Sequence, residues 1–341
     1  MPAPTTPRPG GAPARAVGRR VAVGLAAAAL AAPRVARAQQ QRTEWPTGPI
    51  RFVGLFPPGG GTDILSRIWC HAMGEITGEQ FVVENRSGAS GNVGTEAIAR
   101  AAPDGRTIGL ASVAPLAIAP SMFPSLPFDV RRDFTYVSGL WQLPNMLVVN
   151  PDLPARTVPE LIALLKARPG RYSFASSGSG TTPYLSGAMF QRMAGLDIVH
   201  VPYRGGAPAN VDLIAGRVHM MFDNIPQAQA YVREGKLRAL AVTGAERSPI
   251  APDVPTMAEF LPGYEISSWG GVMGPAGLPP ATASRLSALT RRSLEAPDLV
   301  ARFRENGATT WWTTPEEFAR FRAANEATFT PLIRAAGARV E

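Results

Sequence analysis

The chain has 341 residues, is 45% hydrophobic and has a mean hydropathy near zero, which suits a soluble protein of about two domains with sizeable cores. Its formal charge of +8 is uneven: residues 1–38 hold six arginines and no acidic residue, and the 34 basic residues less those six leave 28 against 26 acidic ones, a net of +2. That near-neutral remainder gives no electrostatic basis for binding nucleic acid, the single cysteine, Cys70, excludes an intrachain disulfide, and no later apolar run reaches membrane-spanning length.

Residues 1–38 read as an export signal. Arg15, Arg19 and Arg20 form a basic n-region, residues 21–32 are an apolar run too short to cross a bilayer, and Ala36-Arg37-Ala38 is an A-x-A cleavage site. Cleavage after Ala38 leaves Gln39 as the mature N-terminus, and the Arg19-Arg20 pair is compatible with a twin-arginine as well as a general secretory route. The mature protein is expected in the periplasm.

From residue 50 onward the pattern alternates. Residues 50–56 read as a buried strand, Pro57-Pro58-Gly59-Gly60-Gly61-Thr62-Asp63 as a glycine turn, and residues 63–77 as a helix that Gly78 ends. Glycines let a backbone approach a ligand closely, and the first amides of a helix have no partner within it, so strand, glycine turn and helix together make an anion seat. Residues 81–84 are the next strand, followed by the glycine-rich loop 85–94, a helix near 93–101, a turn at Pro103-Asp104-Gly105 and a strand at 107–112. Residues 113–140 read as proline-rich and irregular, and residues 146–150 as a strand.

The crossing into a second domain is expected at that strand. Thr157-Val158-Pro159-Glu160 is a capping box opening a helix at 158–168. Strand 171–175 leads into a second seat, Ser176-Ser177-Gly178-Ser179-Gly180-Thr181-Thr182-Pro183, and a helix at 183–194. Strand 197–201, the turn Tyr203-Arg204-Gly205-Gly206, helix 207–215, strand 219–223, helix 226–234 and strand 237–242 complete this half. Thr256 to Glu259 is a second capping box, and residues 264–273 read as a strand returning to the first domain. Helices at about 279–295 and 297–306 follow, then a third capping box, Thr314-Pro315-Glu316-Glu317, opening a long C-terminal helix. Strands alternating with helices predict an α/β fold with a mainly parallel sheet in each half. The domain boundaries expected are 1–38 for the signal, 45–145 with 272–341 for domain I, and 146–271 for domain II.

Residues that would carry catalysis or a cofactor are missing from the pattern. The first glycine turn lacks the Gly-Lys-Ser/Thr ending of a P-loop and a full G-x-G-x-x-G. His71, His200 and His219 have no metal-ligand spacing. Ser179 does not sit in G-x-S-x-G, and no nucleophile–base pair is specified, so no catalytic residue, metal or cofactor is assigned. Asp63 is open to two readings, helix cap or ligand contact, as is Asp223 at its strand end. Arg204 is the one basic residue in the glycine turns of the second half; it suits a carboxylate partner or a surface acid.

Taken together, these stretches resemble the periplasmic receptors of tripartite tricarboxylate transporters, the Bug solute-binding proteins. The resemblance is carried by Phe56-Pro57-Pro58-Gly59-Gly60-Gly61-Thr62-Asp63, by residues 83–94, Pro103-Asp104-Gly105, Ala175-Ser176-Ser177-Gly178-Ser179-Gly180, Val201-Pro202-Tyr203-Arg204-Gly205, and residues 235–242 and 253–259. It covers residues 45 to 340. It implies a two-domain Venus flytrap, each domain a mixed sheet flanked by helices, joined by two crossing hinge strands. One ligand carboxylate is then held between loops 57–63 and 177–183, partly through ordered waters, the ligand being a di- or tricarboxylate, an acidic amino acid or an aromatic acid. The ligand-binding set implied is Phe56, Pro58, Gly59, Gly60, Gly61, Thr62 and Asp63 on one side. On the other it is Ser177, Gly178, Gly180, Thr181, Thr182, Tyr184, Tyr203, Arg204 and Asp223. The family often has His where Tyr184 stands, and Pro183 is unusual beside it, which changes shape and donor chemistry on that wall. The partners implied are a small carboxylate and membrane permease subunits, with the receptor acting as a monomer. A sensor passing its closed state to a membrane partner has the same binding physics, and an exported carboxylate-processing enzyme is the remaining alternative.

Overall fold

A computed structural model describes residues 1–6, 10 and 45–335. The signal segment's basic residues Arg15, Arg19 and Arg20, its apolar run and the cleavage site at Ala38 lie outside the described residues. The chain from Gly48 onward forms one compact unit, and all that follows concerns it.

The first half is built from β1 (Ile50–Gly54), α1 (Gly61–Thr77), β2 (Phe81–Asn85), a 3₁₀ turn at Ala89–Gly91, α2 (Asn92–Ala99) and β3 (Thr107–Ser112). Hydrophobic alternation and capping glycines account for these elements: Gly78 closes α1 at φ 75°, the left-handed value that costs glycine least. A π-helical turn, Ala114–Ile118, and α3 (Ala119–Met122) lead to β4 (Phe134–Val149). The second half adds α4 (Val158–Ala167), β5 (Ser173–Ser176), α5 (Thr182–Ala194), β6 (Val199–Pro202), α6 (Gly206–Ile214), β7 (Met220–Asn224), α7 (Ile225–Arg233) and β8 (Arg238–Val242). The chain returns through β9 (Ser267–Pro275), then α8 (Pro280–Leu294), α9 (Pro297–Glu305), β10 (Thr309–Thr310) and α10 (Pro315–Ala335).

The strands form one mixed sheet in the order β2-β1-β3-β9-β4-β7-β5-β6, with β8 and β10 also paired to β4. β1 is parallel to β2 and β3, and β5 is parallel to β6 and β7. β4 and β9 run antiparallel to their neighbours and stitch the two parallel blocks together. β4 pairs with β9 as far as Pro144, then with β7 from Asn145. A proline suits that changeover because it has no amide to give to a ladder.

The irregular stretch expected at 113–140 is a correction. It contains a π turn, a short helix and nearly half of the longest strand. β4 shows no period of two because most of it is buried on both faces, so it carries no amphipathic signal. Its faces are filled by aromatic rings that replace glycine side chains: a Cβ on Gly139 would lie 2.4 Å from Trp311, and one on Gly270 would lie 2.3 Å from Trp141. Other bounds differ by one to three residues, as at α1, which begins at Gly61 rather than Asp63.

The second half packs around Leu147, Phe174, Phe190, Phe222 and Tyr264, all buried. The Tyr264 hydroxyl donates to the Ser186 carbonyl at 2.6 Å, which satisfies the one polar atom this ring brings into the core.

Candidate ligand-binding site

The first wall grows out of β1. Gly59 takes φ 79°, which turns the chain sharply, and Gly60 is the N-cap of α1 without any side chain to cap it. The turn is held from behind by Asp63. Its Oδ2 accepts from the Gly59 amide and from Arg67 Nε, each at 2.9 Å, and its Oδ1 accepts from Asn85 Nδ2 at 2.8 Å. The carboxylate of Asp63 is thus spent on loop geometry, with both oxygens occupied.

The opposing wall grows out of β5. Ser176, fully buried, shares a 2.7 Å hydrogen bond with His200 Nε2 and accepts from the Gly178 amide at 3.2 Å. His200 lies between the rings of Phe174 and Tyr184, at 4.8 and 4.5 Å. Burial pushes its imidazole down to about 4, so it stays neutral at ordinary pH. The Thr181 hydroxyl donates to the Gly178 carbonyl at 2.7 Å, closing the loop before α5.

Two further helices begin here. Gly206 opens α6 and Asn224 is the N-cap of α7. The N-terminal residues of α1, α5, α6 and α7 all line one cavity of about 30 Å³, room for one or two waters. None of the four is capped by its own side chain. Since α2, α8 and α9 also lack side-chain caps, the convergence, not the missing cap, distinguishes the site. Each terminus carries a partial positive charge and amides without partners in the helix, so the cavity offers helix ends to an anion although no Lys, Arg or His lines it.

The walls meet at glycines. A Cβ on Gly61 would fall 2.8 Å from Asn224 Cβ, and one on Gly205 would fall 2.5 Å from Pro57 Cδ. At the outer rim the Ser90 hydroxyl donates to the Ser179 carbonyl, and a second space of about 350 Å³ opens there.

One acid faces the cavity. Asp223 is 2% exposed; its Oδ2 accepts from Asn210 Nδ2 at 2.7 Å and its Oδ1 from the Asn224 amide at 2.9 Å. Burial outweighs those bonds and pushes its carboxyl up to about 7. Beside it Gln227 is 4% exposed, and neither its Oε1 nor its Nε2 has a hydrogen-bond partner.

Of the residues singled out from sequence, Phe56, Gly60, Gly61 and Thr62 line the cavity from one side, and Ser177, Thr181, Thr182 and Asp223 from the other. Pro58 and Gly59 are exposed on the turn, and Asp63 is behind it. Gly178, Tyr203 and Arg204 line the outer space, where the Tyr203 hydroxyl donates to Asp212 at 2.7 Å. A Cβ on Gly180 would lie 3.2 Å from Met122 Sδ, and Tyr184 packs on His200. Sequence reasoning did not single out Ser112, Asn224, Gln227 or Ser268, which also line the cavity. Ser112 and Asn224 end strands and were findable on that ground; Ser268 and Gln227 carry no local signal.

Comparisons with known proteins place the chain in a family. Protein BugT of Bordetella pertussis is 37% identical over 323 residues, covering 94% of this chain and 97% of BugT. The structure of Rpa4515 of R. palustris with adipate superposes with a TM-score of 0.85 at 34% identity, covering 87% of this chain and all of that one. That of MatC (Rpa3494) from Rhodopseudomonas palustris with bound malate gives 0.80 at 29% identity, covering 85% and 100%. These folds are of the periplasmic binding type. The family pattern described as Tripartite tricarboxylate transporter family receptor, TctC, matches residues 65–338. The chain therefore belongs to the TctC family of tripartite tricarboxylate transporter receptors, solute-binding proteins and not enzymes.

Proposed function

We propose that this receptor captures a small carboxylate in the periplasm and delivers it to the membrane permease subunits of a tripartite tricarboxylate-type transporter. The observation that carries the reading is the convergence of four helix N-termini on one cavity without a cationic side chain. Each terminus stabilises an anion by roughly 0.3–2 kcal/mol. A micromolar receptor needs only about 8 kcal/mol in total, so amides and burial suffice, and the absence of a salt bridge favours release. The ligands in the Rpa4515 and MatC structures, adipate and malate, are of this class.

The cavity of about 30 Å³ is smaller than any dicarboxylate, so entry requires the walls to part. Residues 45–145 with 272–341 and residues 146–271 then act as two domains hinged on β4 and its return strand, and the ligand selects the closed form because only there do both walls touch it. Residues 1–38 are the export signal, cleaved after Ala38, and the mature receptor acts as a monomer. Among the described residues no helix is long and apolar enough to cross a membrane.

A thermal-shift screen backed by calorimetry tests this. At least one acid among citrate, four- to six-carbon dicarboxylates, acidic amino acids and aromatic acids raises Tm, the shift growing with the logarithm of its concentration above Kd, as mass action requires. No shift with any of them refutes the reading.

A further inference from the structure

The cavity makes a demand on its ligand that a bare carboxylate does not meet. Gln227 sits in the first turn of α7, beside the cap residue Asn224 that Gly61 presses against. Its carboxamide is directed across Gly206, where a Cβ would lie 2.5 Å from Oε1 and 3.0 Å from Asp223 Oδ1. It is 4% exposed, lines the cavity, and leaves both amide atoms bare. An amide offers a donor at one atom and an acceptor at the other; turning it over exchanges the two and leaves the demand unchanged. Buried polar atoms in native proteins are almost always paired. The hydroxyls that share the cavity do not bond this amide, and the Thr181 hydroxyl is already committed to the Gly178 carbonyl.

A ligand carboxylate has only acceptors. Seated on the amides of α1, it satisfies the donor half of Gln227 and leaves the acceptor half bare. Asp223, on the same wall, accepts from Asn210 and Asn224 and pairs with neither amide atom of Gln227. One side of the cavity is therefore donor-rich, made of helix amides, and the side around Gln227 bears an unmet acceptor. We propose that Gln227 is a specificity-determining residue that reads a hydrogen-bond donor next to the ligand's carboxylate, so that the preferred guest is a 2-hydroxy acid over its unsubstituted counterpart. This rests on the carboxylate reading above and narrows its ligand class.

Discrimination comes from the unmet acceptor. A site built to bond a ligand hydroxyl rejects the analogue without it, because the buried partner is then left unpaired. The hydroxyl must point at one wall while the carboxylate faces the other, so one enantiomer binds better.

Calorimetric titration with paired probes tests the inference: malate against succinate, 2-hydroxyadipate against adipate, and mandelate against phenylacetate. For the pair that binds, the wild-type receptor is expected to hold the better enantiomer of the hydroxy acid about tenfold or more tighter than the deoxy acid. Gln227→Met, of similar volume but without either polar atom, is expected to bring the two within about twofold. Equal affinity within a pair for the wild type overturns the proposal and leaves the carboxylate reading standing, as does a preference that survives in Gln227→Met. Binding of no member of any pair overturns the proposal, and only if citrate and the acidic amino acids also fail to bind is the carboxylate reading itself refuted. Where Gln227→Met fails to fold, Gln227→Leu carries the same comparison with the same expected and overturning results.

Discussion

At Gly61 a single added Cβ would stand 2.8 Å from Asn224 Cβ on the opposing wall, closer than real side chains come. The residue is the first of a helix with its own backbone unobstructed, so the steric cost falls on closure and not on folding. Gly61→Val is expected to reduce ligand affinity by at least tenfold while moving the ligand-free Tm by only a few degrees, read by calorimetry and by melting. Gly60 differs: its added Cβ meets nothing nearer than 3.6 Å, so Gly60→Ala is expected to bind nearly normally. Asp223 supplies a pH prediction. Its carboxyl is raised from the usual range near 4 to about 7 by burial, so the native state keeps a proton that the unfolded chain has lost. Its contribution to stability is full below about pH 4 and is lost as pH rises through 7. Asp223→Asn removes this titration, and the stability of the variant relative to wild type should improve by about 3 kcal/mol between pH 5 and pH 8, measured by denaturant melts. The amide's own cost, facing the donors of Asn210 and Asn224, is the same at every pH, so the slope isolates the acid. Bringing a second carboxylate into the cavity favours the protonated form further, and ligand affinity is expected to rise as pH falls from 8 to 6. Much of this scale was legible in the chain: Phe56 to Thr62 and Ser177 to Thr182 announced themselves as glycine or serine turns at strand ends. Gln227 did not, because it is one polar residue in a helix whose burial is decided by Gly206, twenty-one positions away, having no side chain.

Among the elements, β4 decides the architecture. Where it passes from one block of the sheet to the other, Asn145 is fully buried. Its amide donates to Thr243 Oγ1 at 2.8 Å, its Nδ2 to Ser186 Oγ at 3.1 Å, and its Oδ1 accepts from Asn224 Nδ2 at 2.7 Å. The last bond ties the crossing point to the cap of α7 and so to the cavity. Asn145→Ala leaves the buried Ser186 hydroxyl without this partner, at about 1–3 kcal/mol for a group stranded in the interior, and frees the partly buried Asn224 amide; a Tm loss of a few degrees is expected in thermal melts, with weakened ligand binding as the cap of α7 loosens. The helix starts away from the cavity were plain in the sequence. Thr314 and Glu317 bond reciprocally at 3.2 and 2.9 Å, and Thr256 with Glu259 forms the same box, since a cap motif needs only residues three apart. β4 was visible only at its end, as 146–150, because its signal is spread over partners far along the chain: β9, β10, and the Trp311 ring against Gly139.

For the whole molecule, strand–helix alternation was enough to give the α/β class and two similar blocks, and the order of its loops carried the family. The antiparallel stitching of β4 and β9 was not deducible from alternation, since it depends on which edges of the two blocks meet. Nor was the number of helix ends at the cavity, four where the chain suggested two facing loops, because α6 and α7 arrive there only once β5, β6 and β7 are placed in register. The central claim is that main-chain amides at those helix ends hold the acid group of the guest. A crystal structure with the tightest-binding acid measures it directly. It should place a carboxylate oxygen about 3 Å from the amides opening α1 at Gly61 and Thr62, with the opposing helix ends closed over it; a guest lacking an acid group, or one whose acid group lies away from these amides, contradicts the account.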